Sequence, residues 1–156
     1  MHSDTKHKHL SPDTKIQLTL LGIYLLVMLS RYLGSTGVSS SSMFSLDSAE
    51  FTILTVVYLL QAIPMALLRY TKLAFFKTCF LISQVLGLVT ELPGLSYMYG
   101  SAMYGGFIEF FNEAAGFICF LVILVHICLF FYVKGTPIKI LIADRAPKDR
   151  KSTRLN

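Results

Sequence analysis

The sequence predicts an all-α integral membrane protein with four transmembrane helices, both termini in the cytosol, and helices 2 and 3 forming an antiparallel hairpin. Three observations lead to this prediction. Hydrophobic residues make up 54% of the 156 residues and charged residues only 15%, whereas soluble domains carry about 25% charged residues. The apolar residues form four long blocks, and a run of about 18 apolar residues is long enough to cross a bilayer. The basic residues lie almost entirely on one side of these blocks.

The predicted transmembrane domain covers residues 16–133, with spans at about 16–33, 51–68, 73–92 and 107–133. Residues 1–15 are predicted to be a polar cytosolic leader, and residues 134–156 a basic cytosolic tail. Arg31 and Lys77 interrupt spans one and three only near their ends, where long side chains can reach the headgroups. In an alternative interpretation the first span is a signal peptide, cleaved at the small residues 35–37. Cleavage would leave three spans.

The distribution of basic residues predicts the orientation. Of the 14 Lys and Arg residues, 13 lie in the leader, around the turn between spans two and three, or after span four, and Arg31 is alone on the other side. The positive-inside rule therefore places both termini in the cytosol. The basic tail is expected to be attracted to anionic lipid of the inner leaflet, by about 1 kcal/mol per Lys or Arg close to the surface. Span lengths do not indicate which cellular membrane holds the protein.

Span two carries a candidate hinge. Pro64 lies inside the predicted helix, with Gln61 one turn before it. Proline removes a backbone hydrogen bond, so a kink is expected there. At the start of the same span, Asp47 followed by Glu50 is a variant of the capping box that opens helices.

The sequence contains no pattern that indicates an enzyme. The cysteines Cys79, Cys119 and Cys128 all fall inside apolar spans, with neither a C-x-x-C pair nor the spacing of a zinc site. We find no H-E-x-x-H, phosphate-binding loop or G-x-S-x-G sequence. We therefore expect no enzymatic activity, no cofactor, no bound metal and no nucleic-acid partner.

Acidic residues accumulate on the predicted outer side, where five of them face the single Arg31: Asp47, Glu50, Glu91, Glu109 and Glu113. Glu109 and Glu113 share a helix face at i, i+4, and Asn112 borders that face. Gly116 and Cys119 are predicted to continue the face inward as a groove that another helix could enter. The acids have three interpretations: they are solvated, cap helices or pair with Arg31; they contact a partner protein; or they collect a cation or proton.

We expect a small tetraspan accessory, assembly or scaffolding subunit of a larger membrane protein complex, acting by helix packing. The candidate contact residues are Glu91, Glu109, Asn112, Glu113, Gly116 and Arg31. One alternative is a homo-oligomeric cation or proton channel or carrier with an acidic outer mouth. Another is a lipid-binding membrane protein, with a groove shaped by the Tyr97–Gly106 loop and Pro64. His126 is the only Asp, Glu, His, Lys or Arg in span four below Glu113, and is expected to be hydrogen-bonded within the bundle.

Overall fold

The computed structural model of the chain describes residues 10–37, 49–96 and 107–143. These residues form helices and no strand. Four of the helices are long and apolar enough to span a membrane, which confirms the all-α class with four candidate membrane spans. The elements are α1 (Pro12–Gly37), α2 (Ala49–Thr71), α3 (Ala74–Glu91), a 3₁₀ turn (Leu92–Leu95), α4 (Phe107–Gly135) and the short α5 (Ile138–Leu141).

The first helix begins earlier than the hydropathy pattern suggests, inside the segment predicted as the leader. Pro12 occupies the first helical position, where its missing N–H costs no hydrogen bond. Ser11 precedes it, with its Oγ 2.7 Å from Thr14 Oγ1, and its carbonyl accepts a 3.0 Å hydrogen bond from Lys15 N. The first turn is polar, so a boundary drawn from hydropathy alone falls short of it.

The four long helices pack as a ring in which each packs mainly on two neighbours: α1 on α2 and α4, and α3 on α2 and α4. The buried apolar residues of α1 recur every three to four positions, as a single helix face requires: Ile16, Leu20, Ile23 and Val27. Large apolar side chains on the opposite faces, such as Leu25, Ile82 and Phe131, are exposed. Such an outward surface suits lipid.

Charged residues mark the two ends of the ring, which we call the Arg31 end and the Lys77 end. At the Lys77 end, Asp13 Oδ2 and Arg69 Nη1 form an ion pair at 2.8 Å. Lys77 Nζ donates to the carbonyl oxygens of Lys134, at 3.2 Å, and of Thr136, at 2.8 Å. These contacts satisfy carbonyls where α4 ends and place positive charge at the negative end of its dipole. Lys77 thus contacts the end of α4, and the headgroup contact expected for its side chain stays a prediction.

The α5 segment closes part of the Lys77 end. Pro137 precedes it with an extended backbone, and Leu141 is fully buried in the same hydrophobic cluster as Ile16. Ile138 and Ile142 pack against that cluster, whereas Ile140 is exposed. The start of the predicted basic tail is therefore anchored to the bundle.

The connection between α2 and α3 contains one strained residue. Lys72 has φ 58°, and its N–H donates to Leu68 O at 2.9 Å. A left-handed conformation costs a non-glycine residue about 1–2 kcal/mol.

We therefore expect Lys72→Gly to raise the free energy of unfolding by up to about 1 kcal/mol in a detergent unfolding assay, because glycine adopts this φ without a steric cost. Lys72→Ala, which removes the charge but keeps the strain, is the control; an equal gain there would rule out the backbone explanation.

Candidate functional site

The buried face of α3 is polar where a membrane helix would ordinarily be apolar. The adjacent residues Ser83 and Gln84 are followed at intervals of about one turn by Gly87 and Glu91, and all four are buried. Placing polar side chains in the hydrocarbon layer costs free energy, so in membrane bundles such side chains face the interior and one another. We call the buried polar residues around this face the polar column: Ser30, Arg31, Gln61, Ser83, Gln84, Glu91, Asn112 and His126.

Arg31 organises the part of the polar column at the Arg31 end. Its side chain is only 5% exposed, with Nε 3.2 Å from Glu50 Oε1 and Nη2 3.7 Å from Glu91 Oε1. Nη2 also donates to Thr90 O at 2.9 Å. Glu91 is 2% exposed and Glu50 is 48% exposed. A planar guanidinium with five donors can serve several acceptors at once, and here it ties α1 to α2 and α3.

A second set of contacts joins α1 to α4 beside Arg31. Ser30 Oγ donates to Ala115 O at 2.9 Å and lies 3.0 Å from Cys119 Sγ. Gly94, in the 3₁₀ turn, packs against the same thiol. A Cβ on residue 94 would overlap Cys119 Sγ and lie 2.8 Å from Arg31 Nη1. The missing side chain of Gly94 thus makes room for both groups.

Deeper in the bundle, two amides and an imidazole form the remainder of the polar column. Gln61 Nε2 donates to Ser83 O at 3.3 Å. His126 Nδ1 lies 2.9 Å from Gln84 Oε1; with the amide in this orientation, Nδ1 carries the proton and donates it. His126 is thus hydrogen-bonded within the bundle, as the sequence predicts.

A small cavity lies between the two parts of the polar column. It has a volume of about 20 Å³ and is lined by side chains from all four long helices, among them Gln61, Glu91 and His126, with Gly87 and Thr90 beside them. Tyr24 and Tyr58 line it as well, stacked with ring centroids 4.8 Å apart. The cavity brings Glu91 and His126 to one site. Sequence reasoning missed this, because the two residues are on different helices.

The candidate contact residues divide between two surfaces. Asn112 and Gly116 are buried with Cys119 inside the bundle, whereas Glu113 is exposed. Consecutive helical residues are rotated by about 100°, so Glu113 faces away from the interior that Asn112 faces. The predicted groove running from Glu113 to Gly116 and Cys119 is therefore corrected: its inner part is the bundle's own packing surface.

Glu113 instead lies in a shallow groove on α4 with Phe110, Ala114 and Phe117, which we call the α4 face. Glu109 is in the first turn of α4, and its side chain lies outside the described residues. Asp47 and the Tyr97–Gly106 loop lie outside them too. The part of the acidic mouth formed by Glu50 and Glu91 pairs with Arg31, so for these two acids the pairing interpretation holds.

The α2 helix runs without interruption through Pro64, and the hinge stays a prediction. Near this proline, Gln17 Nε2 of α1 donates to the backbone oxygen of Ala62 at 2.9 Å. Sequence reasoning missed the role of Gln17, which appears there only as a polar residue in a mostly apolar run.

Among the described residues, no group of three or more His, Cys, Asp and Glu side chains could hold a metal ion. Cys119 is buried, Cys79 half-buried and Cys128 exposed. Comparisons with protein-family models, curated proteins and solved structures gave no match.

The Gln84–His126 pair gives a direct test of the polar column. Gln84→Leu should lower the free energy of unfolding by about 1–3 kcal/mol, because it leaves the buried Nδ1–H of His126 without its acceptor. Val85→Leu, at an exposed position next along the helix, should stay within about 0.5 kcal/mol of the parent. Chemical unfolding in detergent measures both. Equal stability of the two variants would mean that the observed hydrogen bond contributes nothing.

Proposed function

We propose that the protein is a small tetraspan accessory, assembly or scaffolding subunit of a larger membrane protein complex, and that it acts by helix packing. The observation that carries this proposal is the α4 face. There a carboxylate, Glu113, is exposed between two exposed phenylalanines, Phe110 and Phe117. Within the described residues Glu113 has no ion-pair partner.

The surroundings of Glu113 favour a protein partner. A carboxylate at the edge of the hydrocarbon layer needs water, a cation or a proton. A Lys or Arg on a neighbouring helix would meet that need while Phe110 and Phe117 pack against its apolar stem. Ala114, the small residue on the α4 face, would allow the backbone of that helix to approach closely.

The rest of the described charge pattern supports the same division of roles. Arg31 is paired with Glu50 and Glu91, and Arg69 with Asp13. These pairs hold the bundle's own helices together. Glu113 lies on the outside of this bundle, where an association with another chain would occur.

The proposal is tested by native mass spectrometry of the full chain, extracted gently from its source membrane. We expect a defined hetero-complex. Phe117→Ala together with Glu113→Gln should lower the occupancy of this complex by about tenfold or more, as loss of an interface hot spot does. Phe131→Ala, at another exposed phenylalanine of α4 nearer the Lys77 end, is the matched control and should leave the complex intact. A closed homo-oligomer without other chains would contradict the proposal.

We further propose that both termini are cytosolic and that α2 and α3 form an antiparallel hairpin. The hairpin is supported by the close packing of α2 on α3 and by the short connection at Lys72 and Leu73. The orientation is supported by the 13 of 14 basic residues predicted on one side. In this arrangement the Lys77 end faces the cytosol, and the basic tail that follows α5 meets anionic lipid of the inner leaflet.

A homo-oligomeric cation or proton channel or carrier is the second candidate, and the polar column favours it. Glu91 and His126 line one cavity within the bundle, and ionisable residues inside membrane spans commonly mark ion or proton pathways. This candidate predicts cation- or proton-dependent flux in vesicles containing the purified protein, with less flux after Glu109, Glu113 or Glu91 is changed to Gln. Absence of flux in vesicles that hold correctly folded protein would eliminate it.

A further inference from the structure

The cavity in the polar column has an apolar wall, formed by residues such as Leu20, Leu54 and Val57, together with a few polar groups. Glu91 is 2% exposed and lines the cavity, and its Oε2 is buried without a hydrogen-bond partner among the described residues. A buried carboxylate oxygen left unsatisfied is costly. The Cys119 thiol also hydrogen-bonds the Glu91 carboxylate, and Oε2 can take a further hydrogen-bond donor.

The other polar groups around the cavity determine which further hydrogen bonds a molecule that donates to Glu91 must make. In the neutral imidazole, His126 donates from Nδ1 to Gln84 Oε1, and its Nε2 then carries a lone pair and accepts. Gln61 has two amide hydrogens, one of which goes to Ser83 O. Both nitrogens approach Gly87, which also lines the cavity: a Cβ there would overlap Gln61 Nε2 and lie 2.9 Å from His126 Nε2.

A water molecule matches this lining. It donates two hydrogen bonds, which suits Glu91 Oε2 and His126 Nε2, and it accepts one from Gln61. Buried waters in proteins make about three hydrogen bonds to otherwise unsatisfied groups and need about 10–15 Å³ of space. The cavity, at about 20 Å³, has room for one molecule.

We propose that this cavity is a binding site for a single structural water molecule, hydrogen-bonded to Glu91, His126 and Gln61. The water joins the two parts of the polar column into one network that runs from Glu50 through Arg31 and Glu91 to His126 and Gln84. It thereby links α2, α3 and α4 through their side chains in the interior of the bundle. This proposal is independent of the partner proposed for the α4 face.

The proposal is tested by a crystal structure of the full chain in a lipid mesophase, at a resolution that shows ordered water, from crystals grown in sodium and in rubidium salts. We expect the same single peak in both, within hydrogen-bonding distance of Glu91 Oε2 and of Gln61 or His126. An anomalous rubidium signal at this position would assign the site to a monovalent cation and overturn the proposal. A cavity without a peak in either crystal would overturn it too.

A stability measurement gives a second test, because a dry cavity could be filled by an added methylene with a gain in stability. Val57 lines the cavity, whereas Val56 beside it is exposed. If the water is displaced by Val57→Leu, the thermal midpoint should fall by about 3 °C or more, because Glu91 loses its donor. Val56→Leu should leave the midpoint unchanged. A raised midpoint for Val57→Leu would mean that the added methylene fills a dry cavity, and would overturn the proposal.

Discussion

Replacing Arg31 with methionine is expected to lower the free energy of unfolding by about 3–5 kcal/mol, the usual cost of breaking a buried ion pair by removing one partner. Glu91 would keep its carboxylate in a position that is 2% exposed, with the guanidinium 3.7 Å away gone. The hydrogen bond from Arg31 to Thr90 O would be lost as well. Reversible unfolding in mixed detergent micelles measures the change.

The double variant Arg31→Met with Glu91→Met separates the cost of the isolated charge from the loss of packing. Hydrophobic replacement of a whole buried pair is often neutral or stabilising, so the double variant should recover most of the stability lost by Arg31→Met. Glu50→Gln is the control, because Glu50 is 48% exposed and exposed ion pairs contribute only about 0–1 kcal/mol. If the double variant is as unstable as Arg31→Met alone, the burial of unpaired charge is not the cause.

Gly87→Ala is the second substitution expected to have a large effect. The new Cβ would overlap Gln61 Nε2 and lie 2.7 Å from His126 Cε1, so both side chains must move. The hydrogen bonds from Gln61 to Ser83 O and between His126 and Gln84 would be strained or broken. Overpacking of this kind costs about 1–3 kcal/mol.

Gly22→Ala is its matched control, because Gly22 is also a helical glycine and has nothing within 4 Å of an added Cβ. There we expect a gain of up to about 1 kcal/mol, the difference in helix propensity between alanine and glycine. Unfolding midpoints of both variants, measured side by side in the same detergent, give the comparison. Equal shifts of the same sign would show that propensity, and not the space around Gly87, governs the result.

The helices themselves were largely predictable from the sequence. Four apolar blocks separated by polar segments are a strong signal, and α2, α3 and α4 fall close to the predicted spans. Hydropathy does not detect a polar first turn, which is why α1 begins at Pro12 and not at the predicted position 16. A serine followed by a proline at the first helical position was the sequence signal available for that earlier start.

The partners of the charged residues were only partly predictable. A single arginine opposite five acids suggests an ion pair, but the choice of Glu50 and Glu91 depends on which helices are neighbours and how each is rotated. Rotation is weakly encoded in α4, because a helix that is apolar almost all round has no clear hydrophobic face. Because of this ambiguity, Gly116 was predicted to continue the face of Glu113 although it is buried in the bundle. For the same reason the sequence did not predict that Glu91 and His126 line one cavity.

The three cysteines differ in how deeply they are buried in the bundle, so the native chain can be labelled selectively with a spectroscopic probe. Cys128 is exposed on α4, Cys79 is half-buried, and Cys119 is buried beside Ser30. A membrane-permeable thiol reagent should therefore attach a probe at Cys128 first, without any engineered site. The rate of the much slower modification of Cys119 would then report how often α1 separates from α4.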